Sequence, residues 1–244
     1  MAQATKTKNE VLESEASVPE SFDYREEYSD EFYETYIMGY KPNKKKRRFY
    51  RFVKRTFDIV SSGLGILLLS PLMLIIAIAI KLDSKGPVIF KQQRIGKGGK
   101  PFTCYKFRSM SESAPHETAT SVFQDAGLYI TRVGKVLRKL SLDELPQLFS
   151  CFTGKMSIIG YRPLILSEQK CNAMRERLGV FEMRPGISGY AQVVGRDDVY
   201  YKNKALLDAE YVKKASLGFD IKLLFMTVAV VFKGKGNNEN KKNK

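Results

Sequence analysis

One stretch of the chain carries no charge at all: Ile59 to Ile80, reading IVSSGLGILLLSPLMLIIAIAI, bounded by Asp58 and Lys81. At 1.5 Å per residue a straight helix of that length spans roughly 33 Å, enough for a bilayer core of roughly 30 Å. Uninterrupted apolar runs this long mark a membrane segment rather than the core helix of a small soluble domain. The run starts too far along the chain, and lacks a small-residue cleavage site after it, to be a cleaved signal peptide. Ser70-Pro71 falls at its midpoint, where proline removes an i to i−4 bond and bends a helix unless neighbours satisfy the freed carbonyl. Lys81, Lys85, Lys91, Arg94, Lys97 and Lys100 follow the segment with only Asp83 opposing them, so both flanks are basic and the positive-inside rule accepts both ends on the cytoplasmic side. A re-entrant hairpin and a Pro-kinked spanning helix both fit this pattern.

Downstream the periodicity shortens. Pro87 to Arg94 and Pro101 to Arg108 are β-rich runs joined by the glycine-bearing IGKGGK, which predicts a hairpin carrying Lys91, Arg94, Lys106 and Arg108. Met110 to Gln124 is rich in Ser, Thr and Ala and reads as an exposed loop or short helix. Val133, Val136, Leu137 and Leu140 then recur at helical spacing, with a break near Ser141 and a second apolar set at Leu142, Leu145 and Leu148. The C-terminal run Phe219 to Phe232 is apolar but short for a span, with Asp220 and Lys222 near its start, which suits an interfacial helix or a core helix. The fold class expected is α+β: one catalytic domain over residues 51–232 with its membrane segment at 59–80, a small β-hairpin and surface helices. No repeat, P-loop or ordered dinucleotide fingerprint is present.

Charge sharpens the division. The chain has 244 residues and a net charge of +15, yet residues 1–40 hold 3 basic and 10 acidic side chains, so the remainder carries +22. The stretch from Lys41 to Arg55 has nine basic residues and no acid, and it abuts the apolar segment. Attraction to anionic lipid headgroups accounts for that placement more simply than nucleic-acid binding. Residues 1–50 read as a disordered acidic-then-basic tail containing Tyr24, Tyr28, Tyr33, Tyr36 and Tyr40, whose aromatics could dock on a partner or on the basic remainder; residues 233–244 read as a Lys/Asn-rich tail. Three widely spaced cysteines and one histidine, His116, argue against a disulfide framework, a structural zinc site or a Ser-His-Asp triad.

The sharpest local feature is the adjacent pair Asp143-Glu144. Ser141-Leu-Asp-Glu144 matches a capping box, with acids suited to the first turn of a helix. A functional reading starts from Pro146, which in that register deprives the Leu142 carbonyl of its helical partner and makes the turn irregular. Arg138 precedes the acids, and the loops Gly160 to Pro163 and Arg184 to Gly189 each offer an arginine on a turn held by Pro or Gly. Carboxylates among arginines suit phosphoryl chemistry with a divalent metal.

Taken in order, the motifs resemble the bacterial sugar transferases, the small monotopic polyprenyl-phosphate phosphoglycosyl transferases. They are Lys54-Arg55-Thr-Phe-Asp58, the apolar segment with Ser70-Pro71, Gln93-Arg94-Ile-Gly96, Lys106-Phe-Arg108-Ser-Met110, Ile130-Thr-Arg-Val-Gly134, Leu137-Arg-Lys with Ser141-Leu-Asp-Glu-Leu-Pro-Gln147, Gly154-Lys-Met-Ser157, Arg162-Pro163, and Arg184-Pro-Gly-Ile-Ser-Gly with Ala191-Gln192. The similarity runs from about Lys54 to Phe232 and favours the functional reading of the acids.

The resemblance implies transfer of a phosphosugar from a nucleotide diphosphosugar, expected to be a UDP-sugar, to polyprenyl (undecaprenyl) phosphate, with release of UMP. This is a first membrane step in building a surface glycan or exopolysaccharide. By the same resemblance Asp143 is the nucleophile, Mg²⁺ is held by Asp143 and Glu144, and Glu144 binds metal or handles protons. Arg138 and Arg162 match positions near the diphosphate, Arg184, Lys106 and Arg108 are further phosphate- or nucleotide-binding candidates, and Ser70-Pro71 is the break of a re-entrant hairpin. The implied location is the bacterial inner membrane, catalytic domain on the cytoplasmic face. The sequence departs from the family in reading Tyr161-Arg162-Pro163 where many members have Pro-Arg-Pro, and in carrying the acidic tail where larger members have a multi-span region. A catalytically inert scaffold of a glycan assembly complex is the alternative, and no motif names the sugar.

Overall fold

The computed structural model describes residues 22–41, 48–114, 126–195 and 199–232; His116, most of the Ser/Thr-rich stretch, part of the basic run and the 233–244 tail lie outside them. In chain order the longer elements are α1 (Asp30–Gly39), α2 (Arg48–Asp83), β1 (Ile89–Ile95), β2 (Pro101–Phe107), α3 (Arg132–Lys139), α4 (Gln147–Phe152), β3 (Ser157–Ile159), α5 (Gln169–Arg177), β4 (Gly186–Ser188), α6 (Tyr201–Lys214) and α7 (Leu217–Phe232). Helices dominate and two small sheets accompany them, in keeping with the mixed α and β class expected.

The apolar segment lies within α2, which runs for 36 residues and is long and apolar enough to cross a membrane. It leaves Leu64, Leu67, Leu68, Leu74, Ile75 and Ile78 exposed. The expected helix-break-helix is not what is found: α2 is helical through Ser70-Pro71. The reason is local. Pro71 has no amide to give the Leu67 carbonyl, and the Ser70 hydroxyl donates to that carbonyl at 2.8 Å in its place. Both ends of the apolar run are tied to the same body. At the first, Asp58 Oδ1 accepts from Ser157 Oγ (2.9 Å) and the Ile158 amide (3.0 Å), and Arg55 donates to the Cys151 and Phe152 carbonyls. At the second, Asp83 accepts from the Val133 amide (3.1 Å), and Arg108 donates to the Ser84 carbonyl at 2.7 Å.

The hairpin is as expected: β1 and β2 pair antiparallel with Ile89 opposite Phe107 and Ile95 opposite Pro101, around a turn where Gly98 and Gly99 take positive φ. The second sheet was not foreseen. There β3 and β4 pair in parallel, Ser157 with Gly186 and Ile159 with Ser188. This pairing presses two backbones together: a Cβ at Gly160 would stand 2.4 Å from the Arg184 carbonyl oxygen, so only glycine fits.

The main core gathers Tyr161, Leu178, Val180, Leu206, Ala209, Tyr211 and Leu223 between α5, α6 and α7. Residues 22–41 join it, which corrects the expectation of a disordered tail. Ser29 caps α1, and Phe32, Tyr33, Tyr36 and Tyr40 form a buried face at helical spacing. The tyrosine hydroxyls are satisfied: Tyr33 donates to Asn203 (2.8 Å), Tyr36 to Glu210 (2.9 Å) and Tyr40 to the Ala209 carbonyl (2.9 Å). Helix α7 buries Leu223 in the core and exposes Ile221, Phe225 and Val228 at i, i+4 and i+7.

Candidate active site

The acids sit on a turn with three local causes. Helix α3, capped by the Thr131 hydroxyl on the Gly134 amide (3.0 Å), ends at Lys139. Ser141 then adopts the left-handed conformation at φ 56°, the one non-glycine residue among those described with positive φ. Leu142–Glu144 wind as a 3-10 turn, in which the Leu142 carbonyl accepts from the Leu145 amide at 3.3 Å because Pro146 has none to offer. Ser141 makes no side-chain cap, so the capping-box reading fails and the irregular turn expected from Pro146 is found.

The two carboxylates have opposite surroundings. Glu144 Oε1 accepts from Lys106 Nζ at 2.6 Å and from Arg162 Nη1 at 3.3 Å. Burial works against its charge, but Lys106 and Arg162 outweigh that and hold the Glu144 carboxyl at about 2. Asp143 has no hydrogen bond or ion pair of its side chain among the described residues. Burial pushes its carboxyl above the ordinary range, with Glu144 adding repulsion and Lys106, Arg138 and Arg162 only partly offsetting both. Glu144 is therefore a neutralised anchor for two cations, and Asp143 an acceptor with free lone pairs in their field.

Arg162 reaches the dyad because its loop is clamped from two sides. Arg175 Nη1 donates to the Arg162 carbonyl (3.0 Å), and Arg94 Nη1 donates to the next carbonyl, Pro163 (2.6 Å). Arg175 is itself fixed by a buried ion pair with Asp208 and stacks over the Tyr161 ring, 5.5 Å from its centroid. Of the residues singled out from sequence, Lys106, Arg138, Asp143, Glu144 and Arg162 come together; Arg108 and Arg184 do not. Arg108 ties down the end of α2, and Arg184 donates to the Gly154 carbonyl (2.8 Å) in a separate basic cluster with Lys97 and Arg51. Sequence reasoning misses Arg94, Arg175 and Asp208 as parts of the site. The Gln93-Arg94-Ile-Gly96 motif is a signal for the first; nothing local marks the other two.

Among the described residues no group of three or more His, Cys, Asp or Glu could hold a metal. Of the dyad, Asp143 keeps oxygens without a partner among the described residues and Glu144 is taken up by Lys106 and Arg162, so Asp143 is the acid that would serve Mg²⁺, an ion that commonly takes one or two carboxylates and completes its shell with water and substrate phosphate.

With the site's geometry in hand, comparison with known proteins gives its family: the model described as bacterial sugar transferase matches residues 49–234. The chain belongs to the bacterial sugar transferase family. A UDP-N-acetylgalactosamine-undecaprenyl-phosphate N-acetylgalactosaminephosphotransferase of Aeromonas hydrophila is 44% identical over 198 residues, covering 77% of this chain and 45% of that protein. A UDP-glucose:undecaprenyl-phosphate glucose-1-phosphate transferase of Escherichia coli (strain K12) is 42% identical over 191 residues, 75% of this chain and 40% of that one. The exopolysaccharide production protein ExoY of Rhizobium meliloti (strain 1021) is 36% identical over 200 residues, covering 75% of this chain and 87% of ExoY. The matched stretch is thus less than half the length of the first two relatives and most of the third.

Proposed function

We propose that this chain transfers a sugar 1-phosphate from a UDP-sugar to undecaprenyl phosphate at the cytoplasmic face of the bacterial inner membrane. The observation that carries the reading is the split dyad: a desolvated Asp143 carboxylate without a partner among the described residues, beside a Glu144 that is already neutralised. The names of the Aeromonas and Escherichia relatives supply the donor and acceptor classes.

In the first step an Asp143 oxygen attacks the sugar-proximal phosphorus. The new P–O bond gives an acyl-phosphate, the P–O bond to the second phosphate breaks, and UMP leaves with the electron pair. In the second step an oxygen of the lipid phosphate attacks the same phosphorus, the acyl P–O bond breaks, and the Asp143 carboxylate is regenerated. No net proton is consumed. Two anions must meet at Asp143, and Lys106, Arg138 and Arg162 offset that repulsion; the fork of Arg162, held by the carbonyl clamps on its loop, suits the charge building on the leaving oxygens. Mg²⁺ bound at Asp143 would supply further charge neutralisation between carboxylate and phosphate. Glu144 keeps Lys106 and Arg162 in position.

Re-entry of α2 from one side of the membrane belongs to the same reading. Asp58 and Asp83 flank the apolar run and both bond to the catalytic body, which supports a placement with both ends of the run on the same side of the bilayer. The exposed Leu and Ile side chains between them then face lipid. The test is UMP release by detergent-purified protein with Mg²⁺ and a panel of UDP-sugars, with and without undecaprenyl phosphate. Lipid-dependent turnover with one sugar supports the proposal, whereas well-folded protein that is silent across the panel points to the scaffold alternative.

A further inference from the structure

A cavity of about 560 Å³ lies between α2, the hairpin and the start of α4, with almost entirely apolar walls. Met73, Leu74 and Ala77 line it from α2, Tyr105 and Phe107 from β2, and Phe149 from α4. Ser70 also lines it, but its hydroxyl is engaged with the Leu67 carbonyl. The volume lies within the range of small-molecule sites, about 300–1,000 Å³.

Position identifies the occupant. Pro146, two residues after Glu144, lines the cavity, as does Tyr105, the neighbour of Lys106. Successive strand residues face opposite ways, so one strand presents a cation to the dyad and an aromatic wall to the cavity. Leu74 (63% exposed) and Phe149 (50%) line it from the surface that also exposes Leu67, Leu68 and Ile75. An apolar trough that begins beside the turn carrying the dyad and is continuous with the lipid-facing side matches an amphiphile with a phosphate head and a hydrocarbon tail. We propose that this groove holds the first isoprene units of the polyprenyl phosphate acceptor and aims its phosphate at Asp143; the inference rests on the lipid-phosphate transferase reading above. The tail comes from a bilayer already apolar, so the groove contributes packing and orientation more than hydrophobic transfer.

The test uses a polyprenyl phosphate bearing a diazirine on its second isoprene unit, photolysed with the full chain in micelles of defined composition. The expected labels are on Met73, Leu74, Tyr105 and Phe149, suppressed by undecaprenyl phosphate and not by phosphatidylglycerol at equal mole fraction. Ala77→Phe, which fills the groove from α2, and Leu74→Trp, an exposed lining position that tolerates bulk, should each cut labelling at least fivefold. Both should raise the acceptor KM about tenfold while shifting the donor KM less than twofold. Labels mapping elsewhere, equal competition by phosphatidylglycerol, or wild-type labelling of both variants would overturn the groove. Photolabelling needs no turnover, so failure of the transferase reading, seen as absent UMP release, is distinguishable from failure of the groove.

Discussion

Glu144→Gln isolates what the dyad's anchor does. The side chain keeps its shape and loses only the charge that Lys106 meets at 2.6 Å and Arg162 at 3.3 Å. A carboxyl held at about 2 against an ordinary 4.5 contributes about 3 kcal/mol to folding, at about 1.4 kcal/mol for each tenfold change in acidity. The sign follows from the depressed value: the contribution is complete above about 4.5 and is lost as pH falls from there toward 2. Glutamine mimics the protonated acid, so variant and wild type converge at low pH. In a domain of this size about 3 kcal/mol corresponds to a Tm lower by about 6–12 °C. Thermal unfolding in detergent at pH 7 and at pH 3 reads both parts. A variant within 1 °C of wild type at pH 7, or a deficit as large at pH 3 as at pH 7, would refute the argument that Lys106 and Arg162 hold this carboxylate charged.

The neighbouring acid should respond with the opposite sign: burial raises Asp143, so its charge weakens the fold as pH rises through the raised value, and Asp143→Asn should melt above wild type at pH 7, with the gap closing below about pH 4, while turnover falls at least 10³-fold. Single-turnover UMP release without acceptor should rise with pH through a pKa above the ordinary carboxylate range, and a profile flat from pH 4 upward would count against Asp143 as nucleophile. Asp58→Ala removes two bonds between α2 and β3 and should cost about 2–3 kcal/mol by denaturant titration. Tyr36→Ala, at a fully buried position of the N-terminal helix, should cost about 3–5 kcal/mol; an unchanged melting curve would mean that α1 is not part of the folded unit.

Features set by neighbouring residues are legible in the sequence. The hairpin, α3 and the irregular acid turn each follow from a handful of adjacent residues: the glycines of IGKGGK, the Val133 to Leu140 spacing, and Pro146 withholding an amide from Leu142. Features that depend on distant partners are not. The β3–β4 pair consists of three-residue strands whose partners lie 29 residues apart, too short to leave a period in the sequence. Arg175 and Asp208 shape the Arg162 loop from two different helices, and each reads alone as an ordinary helix charge. The acidic bias of residues 1–40 masks a second pattern in the same stretch: Phe32, Tyr33, Tyr36 and Tyr40 recur at helical spacing behind a serine cap. At Ser70-Pro71 the proline argues for a break, and the serine beside it supplies the bond that keeps the helix whole.

The central claim is that Asp143 carries the phosphosugar between donor and acceptor. Intact-mass and peptide mass spectrometry after incubation with the active UDP-sugar in the absence of lipid tests it most directly. The account predicts one sugar-phosphate adduct per protein, on the peptide containing Asp143, absent from Asp143→Asn and discharged by undecaprenyl phosphate. An adduct on another residue, or UMP release from wild type only when acceptor is present and with no adduct at any time, would contradict it.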